Sequence, residues 1–345
     1  MKKEVIRHSA PWLSDFDADA VNHCLRSEMI SRGDRTRTFE NEFGSLVGWS
    51  DVKATTSGSA ALLVAMLALD VGVDDEVIIP TYVCKSVMNT ILSLGAKCVL
   101  CDVGSHWVMT GESVKSKITA KTKAIIVVHI FGIEADSESL RSTGVPVIED
   151  CCQALGRSED ASWIGGSGDV AIYSFHPTKC LSAGEGGIVA TNSPHLSLKI
   201  GKIFDNNKIP FCFSDIQASL ALSQLKRYDL VLQRRADIAQ LYFELLPSEY
   251  TSVLAQVRAK SMFFRFPLTY SGDFQTAQQK LANRGIEVRR GVDELLHRLC
   301  GKNDKEFPFA LCAYNSTISI PILPQLSDID VQRVVREVKS VLGSG

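Results

Sequence analysis

The chain has 345 residues, 45% of them hydrophobic and 22% charged, with a formal net charge of −2. That length exceeds one small core and predicts a large α/β domain with a smaller one beside it. The balance is that of an ordinary soluble globular protein, and without a Lys/Arg block or basic face a nucleic-acid binder is not expected.

The first segment, Met1 to His8, lacks an apolar signal-peptide core. The longest apolar stretch, Ala60 to Leu69, is too short for a bilayer. No membrane association and a reducing, cytoplasmic setting are therefore expected. Helical spacing around Ala18–Leu25 and Phe39–Leu46 flanks a turn at Ser31-Arg-Gly-Asp34. From Thr55 the pattern alternates. Ala60–Leu69 is a helix, Glu76–Pro80 a short strand and Val87–Leu94 a helix. Cys98–Val103, Ala124–Ile130, Val145–Glu149, Val170–Phe175 and Gly187–Thr191 are apolar runs bounded by turn residues, hence strands. Strands alternating with helices imply a mostly parallel sheet covered on both faces.

After Ser193 the texture changes. Asp215–Asp229 and Leu232–Leu246 have the pattern of long amphipathic helices. Met262–Leu268 and Thr317–Ile322 follow as strands and Phe274–Arg284 as a helix. Asp328–Leu342 closes the chain as a helix with Ser327 as its N-cap. The expected division is a large domain over 1–240, including the N-terminal helical segment, and a small α+β domain over 241–345.

Ten cysteines lie mostly in apolar runs, the habit of reduced, buried thiols. Cys98 and Cys101 have a Cys-x-x-Cys spacing. On a strand, however, residues three apart point to opposite faces, so no metal site is expected from them. Cys151 and Cys152 read as structural, with a site-lining role as the lesser option.

Lys179 carries the chemistry. It ends Ser174-Phe-His-Pro-Thr-Lys179, after the apolar run Val170–Tyr173 and before Gly184-Glu-Gly-Gly187. A lysine in such a loop is placed to form a Schiff base with a carbonyl compound. The best-known such compound, pyridoxal phosphate, also needs a phosphate seat and a carboxylate for its ring nitrogen. Thr55-Thr-Ser-Gly-Ser-Ala-Ala-Leu62 runs from small polar residues into a helix. Its free N–H groups, Gly58 and Ser59 suit a phosphate, although an ordinary Ser N-cap reads the same way. Val145-Pro-Val-Ile-Glu-Asp150 is a strand ending in two carboxylates, at the strand end where α/β sheets bind ligands. Periodicity alone does not say which of Glu149 and Asp150 points inward. Gln153 follows about one helical turn later.

These stretches, with Asp75–Pro80, Gly168-Asp169, Thr38-Phe-Glu40 and Ile320–Pro324, together resemble the DegT/StrS-type sugar aminotransferases. These are fold type I pyridoxal-phosphate enzymes of the aspartate aminotransferase superfamily. The resemblance runs in order from about Arg32 to the C-terminus. It implies that Lys179 forms the internal aldimine and shuttles the proton, and that Asp150 partners the ring nitrogen. It further implies that Gln153 touches the ring hydroxyl, that Ser57, Gly58, Ser59 and Ser174 surround the phosphate, and that His176 accompanies the lysine. The implied activity is transfer of an amino group from an amino acid, L-glutamate foremost, to a keto sugar, nucleotide-linked. It proceeds by ping-pong kinetics, in a homodimer with shared active sites.

Two departures stand out. Where the family often stacks an aromatic residue on the cofactor ring, two residues after Tyr82, this chain has Cys84, leaving Cys84 in the pocket and Tyr82 as a possible stacking group. Where the family often reads Asn-Tyr/Phe-Arg before Ser/Thr-Asp/Glu-x-Gln-Ala, this chain reads Pro210-Phe-Cys-Phe-Ser-Asp-Ile-Gln-Ala218, with Asn206 or Asn207 as substitutes for the missing asparagine. Arg265, Arg289, Arg290 and His297 are candidates for substrate phosphates or carboxylates. Competing readings are a carbon–sulfur lyase or desulfurase using Cys180, and a non-catalytic cofactor-binding regulator. A dehydratase of the same family, with histidine in place of the lysine, is disfavoured by Lys179.

Overall fold

The computed structural model describes residues 5–158, 161–205 and 212–343. Seven strands form the main sheet: β1 (Asp51–Thr55), β2 (Glu76–Pro80), β3 (Lys97–Cys101), β4 (Thr122–Val128), β5 (Val147–Asp150), β6 (Val170–Ser174) and β7 (Gly187–Thr191). Their order is β1-β7-β6-β5-β4-β2-β3. The pairs β2–β3, β2–β4, β4–β5 and β5–β6 are parallel, and β7 runs antiparallel to both β6 and β1. The expected mostly parallel, mixed α/β sheet is the one observed.

The central strands are mostly apolar because both their faces are covered. Ile126, Ile148 and Ile172 feed one core, together with the helix Gly58–Ala68, whereas Ile125, Val127 and Val147 feed another. That helix is apolar on every side and correspondingly buried. Cys98 joins the first of these cores and Cys101 the second, so the two thiols face opposite ways as strand geometry requires.

A two-stranded antiparallel sheet, β8 (Phe266–Thr269) with β9 (Thr317–Ile320), lies in the C-terminal part, accompanied by the helices Phe274–Asn283 and Asp328–Leu342. Ser327 caps the last helix, accepting from the Asp330 N–H in a reciprocal capping box. The N-terminus returns to this part of the molecule. Ile6 pairs with Ile286, its N–H donating to the Gly285 carbonyl at 2.8 Å.

Several boundaries differ from the sequence expectation. The strand predicted over Met262–Leu268 starts only at Phe266, because Phe263 takes a left-handed φ of 53°. The strand predicted to reach Ile130 ends at Val128, before the left-handed pair Phe131 and Gly132. The helix predicted over Asp215–Asp229 stops at Leu225, and the next begins at Tyr228. Strand β1 and the helices Pro194–Asp205, Ser248–Gln256 and Pro308–Ser316 carry too short or too mixed a pattern to be read ahead of the structure.

Candidate active site

The C-terminal ends of β5 and β6, the start of the helix Gly58–Ala68 and the loop after β6 enclose a cavity of about 260 Å³. It is lined by Ser57, Gly58, Ser59, Cys84, Asp150, Ser174, His176 and Lys179. Eight of the predicted site residues thus meet at one place, although the chain separates the first from the last by more than a hundred positions. A different cavity of about 380 Å³, bordered by Arg157, Asp229 and Met262, holds none of them.

The lysine loop is closed on itself. Phe175 N–H donates to the Gly186 carbonyl and Ala183 N–H to the Phe175 carbonyl, each at 2.9 Å, and Lys179 N–H reaches the His176 carbonyl at 2.8 Å. His176 is exposed, with its Nδ1 2.9 Å from Thr178 Oγ1. The Lys179 ammonium has no hydrogen bond or ion pair among the described residues. Its charge lies 5.4 Å from the centre of the Phe264 ring. The loop is braced from behind by the helix Asp215–Leu225. Gln217 Nε2 donates to the Glu185 carbonyl at 2.9 Å, and Gln224 exchanges two hydrogen bonds with the Ser182 backbone.

At the helix start, Ser57 is an N-cap whose side chain accepts from Ala60 N–H at 3.1 Å. The N–H groups of Gly58 and Ser59 have no partner among the described residues, the condition of a helix N-terminus ready for an anion. Gly58 is required by closeness. A Cβ there would lie 2.9 Å from the Ser174 Cβ and 3.0 Å from Cys152 Sγ. Gly187 faces the same constraint, since a Cβ would meet the Ser57 carbonyl at 2.5 Å.

The two carboxylates at the end of β5 part company. Asp150 faces the cavity, with one oxygen accepting from Cys152 N–H at 3.0 Å. Glu149 faces the other side. There it accepts from Gly168 N–H at 2.7 Å and lies 3.3 Å from Nε2 of the fully buried His129. Burial pushes the Glu149 pKa up, but the His129 ring and the Gly168 N–H outweigh it and hold the carboxyl below its ordinary value. The Gly168-Asp169 motif therefore serves Glu149 and the β5 backbone, where Asp169 accepts from Val147 N–H at 2.9 Å.

Other predicted residues fall elsewhere. Gln153 lines the adjoining cleft of about 360 Å³ with Cys84, Thr178 and the three arginines 265, 289 and 290, and its Oε1 accepts from Phe131 N–H at 3.0 Å. Tyr82 is fully buried against Phe131 and beneath Gly291, so it is not available to stack on a ring in the cavity. His297 is also buried, held between Thr81 and Asp304 and stacked on Phe307; it is a structural residue. Arg290 donates to the Tyr314 carbonyl and lies over Phe274 and Tyr314. Asn206, Asn207 and Pro210 lie outside the described residues.

Sequence reasoning missed Thr178, His8 and Ser9, and it gave Cys152 a site-lining role only as the lesser option. Cys152 does line the cavity, while its neighbour Cys151 is buried on the opposite face. Burial, then the Asp150 charge, push the Cys152 thiol well above its ordinary pKa, so it stays neutral. Thr178 and the N-terminal pair His8 and Ser9 border the cleft as well. No local pattern marks the N-terminal pair, which arrives there through the pairing of Ile6 with Ile286.

An unpaired lysine, an inward carboxylate and an open helix N-terminus with two serine hydroxyls match the aldehyde, pyridine nitrogen and phosphate of pyridoxal phosphate. The arrangement on this fold is that of a pyridoxal-phosphate-dependent transaminase. Residues 12–339 match the model of the DegT/DnrJ/EryC1/StrS aminotransferase family, and the chain belongs to that family. It is 32% identical to GDP-perosamine synthase of Vibrio cholerae, over 96% of this chain and 97% of that protein. Aminotransferase TlmJ of Streptoalloteichus hindustanus superimposes with a TM-score of 0.89 at 26% identity, over 98% of this chain and 99% of that one. A Streptococcus pneumoniae protein solved in its PLP-form has the same fold, with a TM-score of 0.89 at 24% identity over 98% of this chain and 99% of its own. Among the described residues no helix is long and apolar enough to cross a membrane.

Proposed function

We propose that this chain moves an amino group from an amino acid, L-glutamate foremost, to a keto sugar carried on a nucleotide, in two half-reactions at one site. The observation that carries the reading is the unpaired Lys179 in a cavity shared with Asp150 and the helix start at Gly58. The sugar and the nucleotide are supported by the name of the Vibrio cholerae relative.

When bound, pyridoxal phosphate supplies an electron sink for the carbanion left at the donor's Cα. The protein's own parts are then simple. Lys179 Nζ is the covalent anchor and, once released, the base that takes the Cα proton and returns it. Asp150 keeps a proton on the ring nitrogen. Gly58 and Ser59 N–H groups with the hydroxyls of Ser57, Ser59 and Ser174 hold the phosphate. Gln153 and Cys84 border the ring, and His176 sets the turn that presents Lys179. In this reading 1–240 is the cofactor-binding unit and 241–345 the small unit, in a cytoplasmic homodimer.

The desulfurase alternative has less behind it. Burial raises the Cys180 thiol above its ordinary pKa, whereas a persulfide carrier needs an exposed, reactive thiolate. The test is conversion of L-glutamate to 2-oxoglutarate by the loaded enzyme, with mass-spectrometric detection of an amino sugar nucleotide from a panel of nucleotide-linked keto sugars. Lys179→Ala is expected to fold yet lose all turnover. If no keto sugar in the panel is aminated and glutamate is untouched, the proposal fails.

A further inference from the structure

The Lys179 ammonium has few restraints of its own. Among the described residues no hydrogen bond or ion pair holds it, and the centre of the Phe264 ring lies 5.4 Å away. The place of Nζ is therefore set mainly by the backbone of its loop. Upstream, the loop holds itself through the turn in which Lys179 N–H donates to the His176 carbonyl. Downstream, three residues on, Ser182 is held from outside the loop. Its N–H donates to Gln224 Oε1 at 2.9 Å, and Gln224 Nε2 donates to its carbonyl at 2.8 Å.

A glutamine is an expensive residue to place there. Gln224 is only 4% exposed on the helix Asp215–Leu225, and burying a long amide forfeits its rotamer freedom and its water. What the amide supplies is an acceptor and a donor side by side, as another peptide group would. One side chain thus satisfies both polar groups of the buried Ser182 backbone. An apolar residue at 224 would leave both unpaired. The helix that carries Gln224 is anchored at its far end, where Asp215 accepts from the N–H groups of Gly33 and Thr36. Between the two ends, Ala218 and Ala221 share a core cluster with Leu181 and Ala183, the residues on either side of Ser182. Gln217, two turns earlier on the same face, reaches the loop again at the Glu185 carbonyl.

We propose that Gln224 is a positioning residue for Lys179: its grip on Ser182 sets the place of Nζ against the aldehyde carbon of the cofactor. This rests on the aminotransferase reading above. Gln224 does not border the cavity, so it acts through the loop alone. The consequence is selective. The neutral Lys179 amine joins pyridoxal phosphate by adding to its aldehyde carbon with loss of water. Pyridoxamine phosphate has no aldehyde and takes the phosphate seat and ring contacts without that bond. A misplaced Nζ weakens the first and spares the second.

The test titrates both cofactor forms by fluorescence into cofactor-free wild type, Gln224→Met, Gln224→Glu, Lys179→Ala, and a double variant carrying Lys179→Ala with Gln224→Met. Lys179→Ala gives the full preference for pyridoxal over pyridoxamine phosphate that the lysine supplies. Gln224→Met is expected to weaken pyridoxal phosphate at least about tenfold while pyridoxamine phosphate stays within about threefold, since a reacting group misplaced by about 1 Å loses this much or more. Gln224→Glu keeps the acceptor for Ser182 N–H but loses the donor, and should fall between. In the Lys179→Ala background Gln224→Met should leave the ratio of the two affinities where Lys179→Ala put it, as for residues that act as one unit. The loaded Gln224→Met enzyme should show a lower kcat with little change in KM for glutamate. An unchanged ratio overturns the proposal, whether both affinities fall together or neither does. So does a ratio that Gln224→Met shifts as much without Lys179 as with it. If Gln224→Met does not fold, Gln224→Glu decides by the same ratio. A wild type that binds both forms but aminates nothing would sink the functional reading and leave this contact standing; one that binds neither sinks both.

Discussion

Gly58 lies so close to Ser174 that a Cβ at position 58 would sit 2.9 Å from the serine Cβ. The helix start and the end of β6 are thereby clamped together, and with them the two groups of donors proposed to hold the cofactor phosphate. Gly58→Ala forces them apart. Overpacking of this kind costs about 1–3 kcal/mol, and the phosphate seat moves with it. Denaturant unfolding of the cofactor-free protein should show that loss, and fluorescence titration with pyridoxal phosphate a weaker affinity.

Asp150 and Glu149 give opposite phenotypes. Asp150→Asn keeps the shape and the acceptor for Cys152 N–H but removes the charge. Turnover should fall by at least about a hundredfold, with cofactor affinity within about tenfold of wild type because the phosphate contacts remain. Single-turnover kinetics and an equilibrium titration separate the two. Equal losses in both would show that Asp150 only supports the pocket.

Glu149 belongs to stability. Its pKa in the folded chain is held below the ordinary value, so its contribution is present above the unfolded pKa and is lost as pH falls through the folded one. Thermal midpoints measured from roughly pH 7 to about pH 3 should drop less steeply in Glu149→Gln than in wild type. The variant should also be less stable at neutral pH. An identical slope would mean that the His129 pairing contributes nothing.

Asp215 holds the other end of the lysine support. Its carboxylate accepts from Gly33 N–H at 2.8 Å, from Thr36 N–H at 2.9 Å and from the Thr36 hydroxyl at 2.7 Å, capping the helix Asp34–Val47 from a distant part of the chain. Asp215→Ala removes all of these and should cost about 2 kcal/mol, read as a lower urea midpoint with an unchanged slope. A shift below about 0.5 kcal/mol would contradict the cap.

Cys84 is the exposed thiol of the cavity. Iodoacetamide should label it in the cofactor-free protein, and pyridoxal phosphate should suppress that labelling. Cys300 and Cys312, exposed but outside the cavity, serve as controls. Peptide mapping by mass spectrometry reads all three at once. Equal labelling of Cys84 with and without cofactor would remove it from the site.

Much of this was open to inspection in the chain. The strands β2 to β7 show as apolar runs between turn residues, and the lysine loop, the helix start and the acidic strand end each carry their chemistry within a few consecutive residues. Such features depend on local periodicity and on residue type, which the sequence states directly. The matching order of these stretches is also what made the family resemblance visible, and residues 12–339 do match that family.

What the chain could not state is phase and long-range closure. A strand alternates its side chains, but only packing against His129 on one side and the helix start on the other decided that Asp150 turns to the cavity and Glu149 away. The same holds for Cys152 against Cys151, for the burial of Tyr82 and His297, and for the left-handed Phe263 that shortens β8. Arg265 is the clearest case. In the sequence it is one arginine among several, and it lines a cavity with Lys179 only because the N-terminal segment, the β8 entry and the lysine loop close on one another. Local pattern is set by the neighbours of a residue along the chain. Desolvation and pairing are set by its neighbours in space, and those are fixed only when the two sheets and their cores are assembled.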